Sequence, residues 1–450
     1  MLKRNGFVLM AGMIFGILLV FPPAVLASDG GGNDELLTEI RELKKIVQQQ
    51  QEKIDQLEQR ITKQETVPAK VSPVVSESDI DRRIGERFKL QAPAYELMKD
   101  LTLSVGVTTV FQGAHNANGE NQLSGKEDVA DPTLSTDIAF QKKFGDYGEG
   151  YVYISASEGA GIGDKLQVYS NVNADAENDE HVRVLEAWYA FYFQKFSGSL
   201  AFGKLDTTNY IDTNNYANDE TFQFLGNMFV NSSVVEFPSY SGGLHFGAAP
   251  YEFFDVNLVA VDADADWNNM TDAMFVAGQL NVKPKLLGRE GNYRLLGWMN
   301  GANHTRWDDA TRDKENSYGY GLSFDQELTD NVGVFARYGW QNPKVYLNGE
   351  SFSLSQSWSL GPQIKGTLWG RPDDVVGIGW GQVLPSKQYK KANDLLAKAE
   401  THLECYYNFK VNKHLSLSPD VQVIWQPYGK DAVNGDDAIL VGGMRGQMDF

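Results

Sequence analysis

From Leu101 onward, apolar and polar residues alternate in short segments, the period of a strand with unlike faces. Leu101, Leu103, Val105 and Val107 alternate with Thr102, Ser104, Gly106 and Thr108. The same beat returns in Ala187, Tyr189, Phe191 and Phe193, in Phe254, Val256, Leu258 and Ala260, and in Tyr318, Tyr320, Leu322 and Phe324. It recurs in Val332 to Trp340, Leu403 to Phe409 and Leu415 to Trp425. The final segment puts Leu440, Gly442, Met444, Gly446, Met448 and Phe450 on one face, with Val441, Gly443, Arg445, Gln447 and Asp449 on the other. Alone, that segment fits a soluble sandwich as well as a membrane barrel; repetition along the chain decides. Tight turns, such as Leu328 to Asn331, alternate with longer polar loops, such as Asn342 to Ser351, as in barrels with short periplasmic turns and long outer loops. Roughly 350 residues at ~22 per strand and connection give about 16 strands. The pattern therefore predicts an all-β fold, a transmembrane antiparallel β-barrel over residues 99–450.

The first residues read differently. Lys3 and Arg4 precede an apolar run from about Phe7 to Leu26, ended by Ala27, so residues 1–27 read as a secretory signal peptide. A retained anchor is the alternative, disfavoured by Pro22 and Pro23. Residues 28–64 carry heptads: Ile40, Val47, Ile54 and Ile61 at a, Leu36, Leu43, Gln50 and Leu57 at d. An α-helical coiled-coil stalk of roughly 40 Å follows at ~1.5 Å per residue. So short and polar a helix implies self-association. Residues 65–98 read as a linker with one short helix around Ile80, Ile84 and Phe88.

Composition narrows the function. Aromatic residues are 12% of the chain and glycines 44 of 450, which suits aromatic girdles on short strands. The net charge of −19 argues against nucleic acid as a partner. Acidic clusters at Asp175 to Glu180, Asp262 to Asp266, Trp307 to Glu315 and Asp431 to Asp437 read as solvated loops; calcium binding, bridging lipopolysaccharide, is the lesser alternative, because the carboxylates lack a defined ligand loop. Cys405 is the single cysteine, so there is no intramolecular disulfide. The histidines at 115, 181, 245, 304, 402 and 414 lack metal spacing, and Gly377-Ile378-Gly379 lacks the third glycine of a dinucleotide fingerprint. No enzyme activity, metal or cofactor is expected.

Two blocks resemble the carbohydrate-selective porin family. The first is Gly203-Lys204-Leu205-Asp206, with Asp212, Ala217-Asn218-Asp219-Glu220 and Phe224-Leu225. The second runs from Arg371-Pro372-Asp373-Asp374 through Glu400 and Glu404-Cys405-Tyr406-Tyr407 to Leu417-Ser418-Pro419-Asp420-Val421-Gln422, Gln426-Pro427, Asp436-Asp437, Arg445 and Phe450. The resemblance implies a barrel of about 16 strands passing small solutes, sugars above all, down their gradient. The Trp- and Gly-rich opening of sugar-specific members is missing, and the heptad segment stands in its place.

If apolar positions face lipid, their neighbours face inward. An Arg on the lipid face near the midplane costs roughly 2–4 kcal/mol. Parity thus nominates Arg337, Glu404, Tyr406, Asp420, Gln422 and Arg445 as pore-lining candidates, with Arg371 just before a strand. Each could instead stiffen the wall as part of an ion-pair network. Phe450 reads as the assembly signal for the barrel assembly machinery. The expected function is an outer-membrane porin for small hydrophilic solutes; the alternatives are a cation-preferring ion porin and a tether to the cell wall. Expected partners are outer-membrane lipid and lipopolysaccharide, other copies of the chain (a trimer by expectation) and, for a tether, peptidoglycan.

Overall fold

The computed structural model describes residues 99–119, 127–176, 181–286 and 288–450. The expected signal peptide, coiled coil and linker (1–27, 28–64 and 65–98) lie outside the described residues. Strands run in order as β1 (Leu101–Ala117), β2 (Glu127–Lys143), β3 (Gly148–Glu158), β4 (Arg183–Phe193), β5 (Gly198–Leu205) and β6 (Ser241–Tyr251). They continue as β7 (Phe254–Asp262), β8 (Met274–Val282), β9 (Lys285–Leu286), β10 (Arg289–Arg306), β11 (Glu315–Thr329) and β12 (Val332–Gln341). The rest are β13 (Val345–Leu347), β14 (Leu354–Lys365), β15 (Val375–Pro385), β16 (Glu400–Lys410), β17 (Leu415–Trp425) and β18 (Ile439–Asp449). β9 and β13 are short ribbons paired with β10. The other sixteen form the wall, as the alternation predicts.

Every wall strand pairs antiparallel with two neighbours. The sheet closes where β1 meets β18, in register from Gly106 opposite Asp449 to His115 opposite Leu440. Phe450 extends the seam: its N–H donates to the Val105 carbonyl at 2.9 Å, and Val105 N–H donates back at 3.2 Å. Closure leaves no unpaired edge, which hydrocarbon would not tolerate.

The outward face is apolar. Phe191, Phe202, Leu258 and Trp380 are each 45–53% exposed there, as lipid contact requires. Rings gather toward both rims. Tyr189 and Phe191 meet at 4.8 Å near the short turns, Tyr320 and Trp340 at 5.5 Å near the long loops. The connections differ by end. Residues 144–147, 194–197, 252–253 and 330–331 turn tightly at one end, whereas 159–182 and 206–240 leave the other. Those two loops make the site.

Candidate functional site

Residues 206–240 are too apolar for a solvated loop. Ile211, Ala217, Phe224, Leu225, Met228 and Phe229 are all buried at 2% exposure or less. The loop folds into the barrel, where Phe224 packs between Phe229 (5.0 Å), Phe335 of β12 (5.4 Å) and Tyr406 of β16 (4.9 Å, edge-on). The wall makes room with inward-facing glycines. A Cβ on Gly379 would lie 2.7 Å from the Phe229 ring, and one on Gly381 2.5 Å from Met228 Cε. On β12, a Cβ on Gly333 would lie 2.1 Å from the Tyr216 ring. Gly379 and Gly381 are thus a bed for the loop, while a Cβ on Gly377 would lie 2.2 Å from the Tyr406 ring of β16; Ile378 and Trp380 turn the other way.

Buried polar side chains of the wall bind the loop backbone. Arg337 Nε donates to Asp212 Oδ1 at 3.0 Å. Its Nη1 donates to the Phe229 carbonyl at 2.9 Å, and Nη2 to the carbonyls of Asp212 and Ala217 at 3.0 and 2.9 Å. Asp212 Oδ2 in turn accepts from Ser232 N–H at 2.7 Å, so one ion pair ties both limbs of the loop. Glu404 accepts from the N–H groups of Leu225 (2.5 Å) and Gly226 (2.9 Å). Arg445 Nη1 donates to the carbonyls of Glu220 (2.6 Å) and Gln223 (3.0 Å).

The loop 159–182 is held alongside. Glu400 accepts from Tyr169 N–H at 2.9 Å, and Gln112 and Gln422 both donate to the Val172 carbonyl, at 3.2 and 2.8 Å. Asn227 N–H donates to the Asn171 carbonyl at 3.0 Å, and Ala174 N–H to that of Leu225 at 2.7 Å, joining the two loops.

The structure therefore places Arg337, Glu404, Tyr406, Asp420, Gln422 and Arg445 on the inner face, each no more than 3% exposed. Arg337, Glu404, Tyr406 and Arg445 meet loop 206–240, Gln422 meets loop 159–182, and Asp420 accepts from Gln422 at 3.0 Å. Arg371 stands apart in the connection 366–374, paired with Asp374 and lying 4.0 Å over the Phe409 ring. Phe450 is exposed, stacked on His414 at 6.1 Å.

The loops leave a gap along β2 to β4, where the inward-facing Tyr151, Tyr153 and Trp188 are half-buried rather than buried. Tyr153, Tyr151 and Trp188 form a ladder there, with centroids 6.4 Å apart and then 5.1 Å apart. Trp188 Nε1 donates to Glu186 Oε2 at 3.0 Å. Glu220 and Tyr240 of the loop and Asp137 of β2 lie near Tyr153. Asn209 Nδ2 donates to Glu186 Oε1 at 3.2 Å, and Ser135 Oγ to Asp175 Oδ1 at 3.0 Å. Burial, and next the charge of Glu220, push the Asp175 carboxyl up to about 8. Burial likewise pushes Glu220 up to about 7; Asp219 and Asp206 add to it and Arg445 opposes it. These lining residues escaped the sequence reading, although the alternation of Tyr151 and Tyr153 with Val152 was there to find. Toward the long-loop end lies a cavity of about 650 Å³, lined among others by Glu236, Asn300, Asn303, Gln341 and Asn348.

A closed antiparallel barrel of sixteen strands, with long loops turned into its interior, is the fold of outer-membrane porins. The family model described as "Carbohydrate-selective porin, OprB family" matches residues 126–450, and the chain belongs to that family. The high-pH structure of Pseudomonas putida OprB matches with a TM-score of 0.68 at 17% identity, covering 81% of this chain and 97% of that one. Porin AaxA of Chlamydia caviae is 25% identical over 248 residues, 52% of this chain. An uncharacterized protein of Aquifex aeolicus is 26% identical over 241 residues, 54% of this chain. The matches span 51% of the Chlamydia protein and 63% of the Aquifex one. The two blocks that resemble the family are distant in sequence yet touch: the first is the inward loop, and Glu404, Tyr406 and Arg445 of the second hold it.

Proposed function

We propose that this chain is an outer-membrane porin through which small hydrophilic solutes, sugars among them, diffuse passively. The observation that carries the reading is the ladder Tyr153, Tyr151 and Trp188, flanked by Asp137 and Glu186. Flat rings stack on the apolar faces of a sugar while carboxylates accept from its hydroxyls. The buried set around Arg337 and Glu404 acts at one remove, by fixing the loop that faces the ladder. Liposome swelling with sugars of graded size tests this, using the wild type and Trp188→Ala. Slower entry of sugars with unchanged salt conductance supports the reading. Equal loss for sugars and salts would reduce the ladder to part of the wall.

A preference for cations among charged solutes, strongest above neutral pH where Asp175 and Glu220 ionise, is a second reading, favoured by the acidic set Asp137, Asp175, Glu186, Asp206 and Glu220 around the gap. Reversal potential across a salt gradient in a planar bilayer decides it, and anion selectivity would refute it. Heptads in residues 28–64 support assembly into an oligomer, for which we propose a trimer. Deleting residues 36–61 separates assembly from tethering. A monomeric barrel would make the segment an assembly device; lost envelope attachment at unchanged conductance would make it a tether to peptidoglycan. The outward apolar belt supports contact with lipid and lipopolysaccharide, and Phe450 at the seam supports recognition by the barrel assembly machinery.

A further inference from the structure

Where β7 ends, the chain reads Asp262-Ala263-Asp264-Ala265-Asp266, carboxylates at alternate positions. The backbone there is fixed by Ser241 Oγ, which donates to the Asp262 carbonyl, and by Ala263 N–H, which donates to the Ala273 carbonyl at 2.7 Å and closes the neck of the loop. One carboxylate oxygen from each of Asp262, Asp264 and Asp266 lies within 4.8 Å of the other two. Asp264 and Asp266 are exposed, but Asp262 is only 1% exposed at the base of the cluster. Neither Asp262 oxygen has a hydrogen-bond partner among the described residues. No lysine or arginine pairs with any of the three among those residues. A carboxylate removed from water without a donor or counter-charge is strongly disfavoured. Here it is aimed at two more carboxylates, which adds repulsion.

We propose that Asp262, Asp264 and Asp266 form a calcium site at the long-loop end of the barrel, with Asp262 as its buried base. The spacing allows one ion to be shared: a calcium ion takes oxygens at roughly 2.4 Å, so ligands on opposite sides stand up to about 4.8 Å apart. Magnesium demands a near-ideal octahedron and gives up its waters reluctantly, so carboxylates on an exposed loop suit calcium better. Alternate carboxylates along a tight loop are also the arrangement by which calcium loops supply their first ligands. Asp264 also borders the 650 Å³ cavity, so the ion would brace the loop at its rim.

Trp267 follows the cluster directly and serves as an antenna. The test is terbium luminescence excited through tryptophan, on the full chain folded in detergent, with folding checked by heat-modifiable gel migration. The expected result is saturable emission, displaced by calcium and not by equal magnesium. Asp262→Asn and Asp264→Asn should each weaken binding roughly tenfold or more, because affinity follows the number of charged ligands. Asp308→Asn, in the next outer loop, should leave it unchanged. Absence of saturable emission, or unaltered binding in Asp264→Asn, overturns the proposal; so does equal weakening by Asp308→Asn. If Asp262→Asn does not fold, the exposed Asp264 variant decides alone.

Discussion

Replacing Arg337 by methionine should release the inward loop without opening the barrel. The guanidinium makes four bonds of 2.9–3.0 Å, one to Asp212 Oδ1 and three to the carbonyls of Asp212, Ala217 and Phe229. Both partners of the ion pair are 2% exposed by side chain, so the substitution strands a buried carboxylate. Breaking such a pair costs about 3–5 kcal/mol. At about 1.4 kcal/mol per tenfold, the docked state loses roughly two to three and a half powers of ten against the undocked one. The ladder of β12 with β11 and β14 does not depend on this side chain, so the barrel persists. Planar-bilayer recording should show larger, noisier single-channel conductance, and limited proteolysis should cut within 206–240. Adding Asp212→Asn should restore part of the protection, since it removes the stranded charge, keeps a side-chain oxygen able to accept from Ser232 N–H and tolerates the positive φ of 64° there. A folded Arg337→Met barrel with wild-type conductance and protease resistance would refute the reasoning.

Other predictions follow from the same geometry. Gly379→Val sets a branched side chain where a Cβ alone would lie 2.7 Å from the Phe229 ring; overpacking costs about 1–3 kcal/mol, read as a lowered temperature of loop release on a barrel that still migrates as folded. A folded-state carboxyl value raised above the unfolded one favours the protonated form, so Asp175 and Glu220 contribute stability that is full below about pH 4 and is lost as pH rises toward about 7 to 8. Across that upper range the gap gains negative charge, so the cation-to-anion permeability ratio should rise between pH 6 and 9; a flat profile, or one unchanged in Asp175→Asn with Glu220→Gln, would count against it. Deleting Phe450 removes two backbone bonds to Val105 and should lower the yield of heat-modifiable barrel in membranes, with little change in the conductance of channels that do form.

The wall was legible because each strand reports its environment residue by residue. Parity puts Arg337, Glu404 and Arg445 on the inner face as pore-lining candidates; in the structure each is buried against the backbone of loop 206–240. Parity gives a face but not what covers it, so their contacts with loop backbone had no sequence signature of their own. The covering loop did leave one: Phe222 to Val230 is rich in apolar residues, unlike a solvated connection. The glycines of β15 lack the pattern of a nucleotide fingerprint, and their spacing by two on a strand marks a close approach on one face. The residues facing the gap come from three strands and two loops, and no single window contains them. The carboxylates of 262–266 stood in one window, but only the fold shows that the first is buried.

The seam between β1 and β18 governs when this protein can exist. Thr108 and Gln447 touch across 339 positions of chain. Closing a loop of that length costs roughly 5 kcal/mol in entropy before any bond across it forms. One edge of the first strand therefore stays open until the last strand arrives. A chain lacking its final strand is no slightly weaker channel; it is an open sheet with two bare edges in hydrocarbon.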